Sequence, residues 1–469
     1  MSKLSVDPVL NVGGIQAFAA SFRSGDLTSE QATRGYLERI QALDKQLGAF
    51  EYVAVDEALA TARAMDQLRE AGTDLGPLMG LPVSVKDLFT VKGMPLTAGS
   101  QVDISDIADP QEGPFIRALR QAGCVILGKT KMVEFAYGIT GVSQPRGTPW
   151  NPCDLEVHRL PGGSSSGAGV AVAAGLCALA IGTDTGGSVR IPAALCGVFG
   201  LKTSFGLWPT QGVFPLAPNL DTIGLLTRTA HDAAQAYAEL TRLLHGSHQG
   251  EILAASLTQV RLGKPTQYFF DGLAPEVERS VASVNDELRN AGVSFAPIPV
   301  PQAAEREHYF PLSMPVHLLT TLGEDRFEAN KHIMDSVIAR RTAAGLNTRA
   351  VDLLALEARR QASMMEVASL FGNIDAWISP TVAGVAPPVA DLLDPEEGYR
   401  QAINMTRNTQ PANYLGLCAA TLPVPRQAGE LPIGYQLMCP SNGESKLLSL
   451  AIAIENSWSD RAPGNHTLI

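Results

Sequence analysis

Apolar positions near the start of the chain recur with helical spacing. Tyr36, Ile40, Leu43 and Leu47 fall 4, 3 and 4 residues apart, behind a capping-box pair formed by Thr28 and Gln31. A second helical stretch runs from about Asp56 to Glu70 and stops at Ala71-Gly72, so the first 75 residues are expected to be helical. From Leu81 the pattern changes. Pro82-Val83-Ser84-Val85 is a short strand that delivers Lys86 and Asp87 at its end. Pro114 to Gln121 is predicted helical, Cys124 to Leu127 a strand, Ala168 to Ala174 a helix and Cys177 to Ile181 a strand. Helical patterning returns over about residues 300–375, most clearly from Val351 to Phe371. Strands at Asp375 to Ile378 and Ile433 to Met438, and a helix around Leu447 to Glu455, close the chain. Short apolar strands alternating with helices predict an α/β fold whose sheet is covered on both faces.

Length and charge narrow this picture. The 469 residues show no internal repeat and no Pro/Gly/Ser-rich linker, so residues 1–469 are expected to form a single domain. With 36 Lys+Arg against 47 Asp+Glu the chain carries a net charge of −11, which argues against binding nucleic acid. At 45% hydrophobic and 18% charged residues it has the balance of a globular protein rather than a disordered one. Residues 160–183 contain no charge, but they are rich in Gly, Ala and Ser, and their fully apolar part is too short to span a bilayer. A buried helix and strand are expected there, in a soluble, cytoplasmic protein with no membrane association. Six dispersed cysteines without a CxxC pair fit reduced thiols, not disulfides or a metal site.

Two short motifs resemble active-site signatures and are discounted. Gly123 to Thr130 matches the P-loop formula, but Cys124, Val125, Ile126 and Leu127 form a buried strand where a phosphate-binding loop is required. A nucleotide-binding protein is therefore a remote alternative. Gly163-Ser164-Ser165-Ser166-Gly167 fits the nucleophile elbow of hydrolases, with Ser165 at its centre, yet no downstream histidine falls in a segment suited to partner it.

A larger constellation carries more information. Between Pro161 and Lys202 lie two small-residue loops, Gly162–Gly167 and Thr183–Ser188, joined by the uncharged helix and strand. Glycines let backbone amides approach a substrate closely, and a serine after Thr-Gly-Gly can be ringed by N–H donors as an oxyanion hole requires. Together with the strand-borne Lys86, this pattern resembles the amidase signature family, from about Leu75 through Leu431 to Leu437 and most densely between residues 80 and 230.

That resemblance implies a large, twisted, mixed central sheet with helices on both faces, a helical region at about 300–375 covering the cleft, and no metal or cofactor. It also implies a Ser-Ser-Lys triad: Lys86 as base, Ser164 as the bridging serine and Ser188 as nucleophile. The backbone N–H groups of Thr185, Gly186, Gly187 and Ser188 fall on the family's oxyanion hole, and Ser165, Asp184 and Arg190 on supporting positions. The chemistry agrees with these residue types. A serine hydroxyl needs a base, and a lysine serves only when neutral, for which the apolar flanks Val83, Val85, Leu88 and Phe89 provide desolvation. Asp87, on the opposite face of the strand, is not expected to hold Lys86 charged. The loop departs from the usual Gly-Gly-Ser-Ser-Gly-Gly at Ser166, and Lys202-Thr203 departs slightly from Lys-Pro-Thr.

The expected activity is hydrolysis of a small-molecule carboxylic amide, with ester, anilide or carbamate as variants. The glutamine-hydrolysing component of a tRNA-dependent amidotransferase, its A subunit, is the rival within the family. Specificity is expected from Phe135 to Thr140, Phe214 to Leu220 and the stretch bearing Tyr309, Phe310, Met314 and His317. A homodimer is the expected assembly.

Overall fold

The alternation read from the sequence is realised in a single sheet of 11 strands in the computed structural model, which describes residues 6–246, 250–392 and 394–458. In chain order the strands are β1 (Phe50–Val53), β2 (Pro82–Lys86), β3 (Val125–Thr130), β4 (Leu179–Asp184), β5 (Phe199–Lys202), β6 (Thr222–Thr227), β7 (Arg261–Pro265), β8 (Ser294–Ile298), β9 (Ala376–Pro380), β10 (Cys418–Pro423) and β11 (Gly434–Cys439). Across the sheet they run β1-β3-β2-β4-β6-β5-β10-β11-β9-β7-β8. The sheet is mixed. β2 lies parallel to β3 and β4, and β7 to β8 and β9, whereas β4-β6-β5-β10-β11-β9 is antiparallel throughout. Every residue of β2, β3, β4, β5, β6, β9 and β11 is buried. Strands buried along both faces need helices on each side, as their unbroken apolar runs imply.

The N-terminal segment is not wholly helical. Helices Ser29–Leu47 and Val55–Glu70 form as expected, the first with its Thr28/Gln31 capping box, but β1 intervenes. Its four residues pair with β3 at the sheet edge, where long-range pairing decides the conformation and local periodicity has too few positions to register. The helix Arg306–Leu322 contains Pro311 and Pro315, and helix Ala350–Ala368 follows the predicted 351–371 stretch closely. All six cysteines are free thiols. Among the described residues, no helix is long and apolar enough to cross a membrane.

Candidate active site

The parallel pair β2/β4 sets the site. Val85 is in register with Ile181, so the chain leaves the two strands side by side, carrying Lys86 on one and Thr183 and Asp184 on the other. The Lys86 side chain is fully buried and donates from Nζ to Ser164 Oγ at 2.7 Å and to Thr183 Oγ1 at 2.8 Å. Burial pushes the Lys86 ammonium down to about 7, against the pull of Asp184 and Asp221. Asp87 turns away and pairs with Lys129 at 2.9 Å, as strand alternation requires. That same Lys129 is the lysine of the P-loop formula. It sits in β3, fully buried and ion-paired, so the segment forms a strand in place of a phosphate cradle.

Ser164 follows a cis peptide bond with Gly163, and the loop 131–141 holds this turn from outside. Gly163 N–H donates to Ile139 O at 2.7 Å, and Val133 N–H to Ser164 O at 3.1 Å. Ser165 is buried beneath: its N–H donates to Ser188 O and its hydroxyl to Thr183 O at 3.3 Å. This ties the two serine loops together and leaves Ser165 without the exposed hydroxyl or histidine partner of a nucleophile elbow. Ser166 opens the helix Ser166–Ala173, its hydroxyl 3.5 Å from Lys131 O, so the departure from glycine is accommodated by the neighbouring loop.

The second loop is organised from behind by a carboxylate. Asp184 accepts the N–H of Gly187 at 2.8 Å, Val189 at 3.2 Å and Arg190 at 3.4 Å, together with both Nε and Nη2 of the Arg190 guanidinium. Burial opposes the charge on Asp184, but Arg190, helped by Lys202 and Asn413, outweighs it and holds the carboxyl well below the usual carboxylate range. Arg190 also donates to Thr409 O, Gln436 Oε1 and Asn413 Oδ1. Gly187 has φ +123°, and a Cβ there would lie 2.3 Å from Thr409 Oγ1, so only glycine fits.

The four N–H groups expected to form an oxyanion hole differ in their present partners. The Gly187 N–H is already engaged by Asp184, whereas no described hydrogen bond uses the N–H groups of Thr185, Gly186 or Ser188.

Sequence reasoning placed Thr183 only as the start of the second loop, without its contact to Lys86, and missed Asp221. Asp221 accepts from Thr185 Oγ1 at 2.5 Å and from the N–H groups of Leu216 and Ala217, each at 3.0 Å. Burial raises its carboxyl to about 6, with these donors and Lys86 pulling the other way. The only sequence signal was an acidic residue immediately before the apolar run of β6. Among the expected specificity residues, Phe135 and Phe214 pack with ring centroids 5.7 Å apart, and Phe310 lies against Gly186.

Comparison with known proteins finds relatives over nearly the whole chain. The model of the Amidase family matches residues 31–448. The chain is 36% identical over 438 residues to 2-amino-5-chloromuconic acid deaminase of Comamonas testosteroni, covering 93% of this chain and 94% of that one. It is 32% identical to the A subunit of glutamyl-tRNA(Gln) amidotransferase from Geobacter metallireducens, over 94% and 96% of the two chains. The solved peptide amidase of Stenotrophomonas maltophilia superposes with a TM-score of 0.80 at 27% identity, over 98% of this chain and 99% of that one. A family model matched over most of the chain, together with relatives aligned over nearly its full length, shows that the chain belongs to the amidase family.

Proposed function

We propose that this amidase cleaves the C–N bond of a carboxylic amide through a covalent acyl-enzyme on Ser188. Ser188 Oγ attacks the carbonyl carbon while its proton passes through Ser164 to neutral Lys86. The oxyanion is received by the N–H groups of Thr185, Gly186 and Ser188. Collapse expels the amine, which takes the proton back along the same relay, and water then cleaves the ester to release the acid. The observation that carries this reading is the 2.7 Å bond from a fully buried Lys86 to Ser164, with the ammonium lowered to about 7. Lowered into this range, the lysine has a neutral form within reach at neutral pH, as a general base needs.

Labelling with a fluorophosphonate followed by peptide mass spectrometry tests the reading. One adduct on Ser188, lost in Lys86→Met, is expected; an adduct on Ser165 overturns the assignment. The full-length likeness to amidotransferase A subunits supports a second reading, glutamine hydrolysis that feeds ammonia to a partner. Turnover of simple amides by the isolated chain favours the free-standing hydrolase, in keeping with the deaminase relative.

The relay also fixes a pH dependence. Protonated Lys86 cannot accept a proton, so kcat/KM on a non-titrating amide is expected to rise with pH and level off above about 7. The charge on Asp221 favours the protonated lysine. Asp221→Asn therefore moves this acid limb to lower pH, whatever it does to the plateau. A limb that stays in place shows that another group controls it.

A further inference from the structure

Buried charges in proteins are normally met by an opposite charge. Arg306, at the start of the helix Arg306–Leu322, is only 4% exposed, yet its close partners are neutral. Nε donates to Tyr268 Oη at 2.6 Å, and Nη1 to Thr406 Oγ1 at 3.2 Å and Gln410 Oε1 at 2.8 Å. The nearest carboxylate, Glu307, stands off at 3.7 Å with its side chain 52% exposed to water, where screening weakens it. Arg407 adds a second guanidinium on this side, with Nη2 donating to Asp271 O and a buried Nε without a partner. Tyr268 Oη in turn donates to Glu307 at 3.2 Å, and the carboxylates of Glu307 and Asp271 act on the two guanidiniums from a distance, with no carboxylate hydrogen-bonded to either among the described residues.

Gln410 connects this positive charge to the catalytic loop. The bond from Arg306 identifies which end of the amide is oxygen and so fixes the orientation of the group. The other end, Nε2, is used by no hydrogen bond among the described residues. It lies 3.5 Å from where a Cβ on Gly186 would stand, with Gln410 Cγ at 3.2 Å. Gly186 is two residues from Ser188 and supplies one of the free N–H groups. A polarised donor, backed by the Arg306 guanidinium, thus lies against the loop that leads to Ser188.

We propose that the amide substrate carries a carboxylate in its acyl portion, that Gln410 Nε2 donates to it, and that Arg306 is the positioning residue that orients the Gln410 amide and supplies the compensating charge. This deepens the acyl-enzyme reading of the same cleft and rests on it. Charge-assisted hydrogen bonds are the strong ones, and their loss is read directly in selectivity between charged and neutral substrates.

The test compares monoamides of dicarboxylic acids, four to seven carbons long, with n-alkyl amides of matched length, by ammonia release. The wild-type enzyme is expected to favour the acidic partner by tenfold or more in kcat/KM at the best length, through KM rather than kcat, and to lose part of that preference as salt is raised. In Arg306→Gln the preference falls towards one, and Arg306→Lys restores part of it. Gln410→Glu, which pairs with Arg306 and repels a carboxylate, inverts it. Where turnover is slow, the same pairs are compared as protectants of Ser188 against the fluorophosphonate. Labelling of Ser188 with no preference for the acidic partner at any length overturns this inference and leaves the acyl-enzyme reading standing. Absence of any Ser188 adduct overturns the acyl-enzyme reading, and the inference with it.

Discussion

Ser188→Ala is expected to lower kcat by on the order of 10^4- to 10^6-fold, the range seen when a nucleophile acting in a coupled set is removed. The change deletes one oxygen from a side chain whose backbone carbonyl, bonded to Ser165 N–H, is untouched. The melting temperature is therefore expected to stay within a few degrees of the parent. Lys86→Met keeps the stem volume and removes the base, so the loss should be of the same order. Combining the two should cost little more than either alone, because in the proposed relay Lys86 acts only through the serines. A single-turnover assay with an activated ester, together with a thermal melt, checks both halves of the expectation. Substantial turnover by Lys86→Met near pH 7 would show that the proton leaves Ser188 by another route.

The second large effect concerns stability. Arg190 and Asp184 are both fully buried, 2.9 Å apart, and their partnership extends to Thr409, Asn413 and Gln436. Arg190→Met leaves the Asp184 carboxylate in the interior without its cation, a change that typically costs about 3–5 kcal/mol. Chemical denaturation or the yield of folded protein measures the loss. Activity should fall further than the unfolded fraction explains, because Asp184 also fixes the N–H of Gly187 and the turn leading to Ser188. Arg190→Lys restores the charge but not the fork that spans five acceptor atoms on four residues, so it recovers only part of the stability. An unaltered denaturation midpoint in Arg190→Met would mean that the pair is dispensable to the fold.

The two serine loops were legible because small residues in that order have few structural uses, and Lys86 because it ends an apolar strand. The structure brings Lys86, Ser164 and Thr183 within hydrogen-bonding distance and seats Asp184 on Arg190. The supporting partners were not legible. Asn413 and Gln436 stand 223 and 246 residues from Arg190, and a lone polar residue in an apolar strand does not announce which distant charge it serves. Asp221 was hidden for the same reason: its role depends on the Leu216–Asp221 turn folding under Thr185. Strands β1, β5, β6, β7, β8 and β10 were missed because segments of four to six residues take their conformation from pairing partners elsewhere in the chain. The engaged Gly187 N–H illustrates a further limit, since counting candidate donors along a loop does not reveal which are already satisfied.

The distances along the chain that hid those partners also bear on synthesis. β10 and β11 enter the middle of the sheet, between β5 and β9, and they come from the last quarter of the sequence. A ribosome that has released both serine loops and Lys86 has not yet supplied Thr409, Asn413 or Gln436, and the Asp184–Arg190 pair then lacks its braces. Contacts so far apart in sequence form late. A growing chain therefore carries every reactive residue while the loop that aims Ser188 is still unsupported. On the proposed assignment, hydrolytic power is expected to arrive with the C-terminal strands, and a polypeptide cut short before them is expected to hold a nucleophile without being a catalyst.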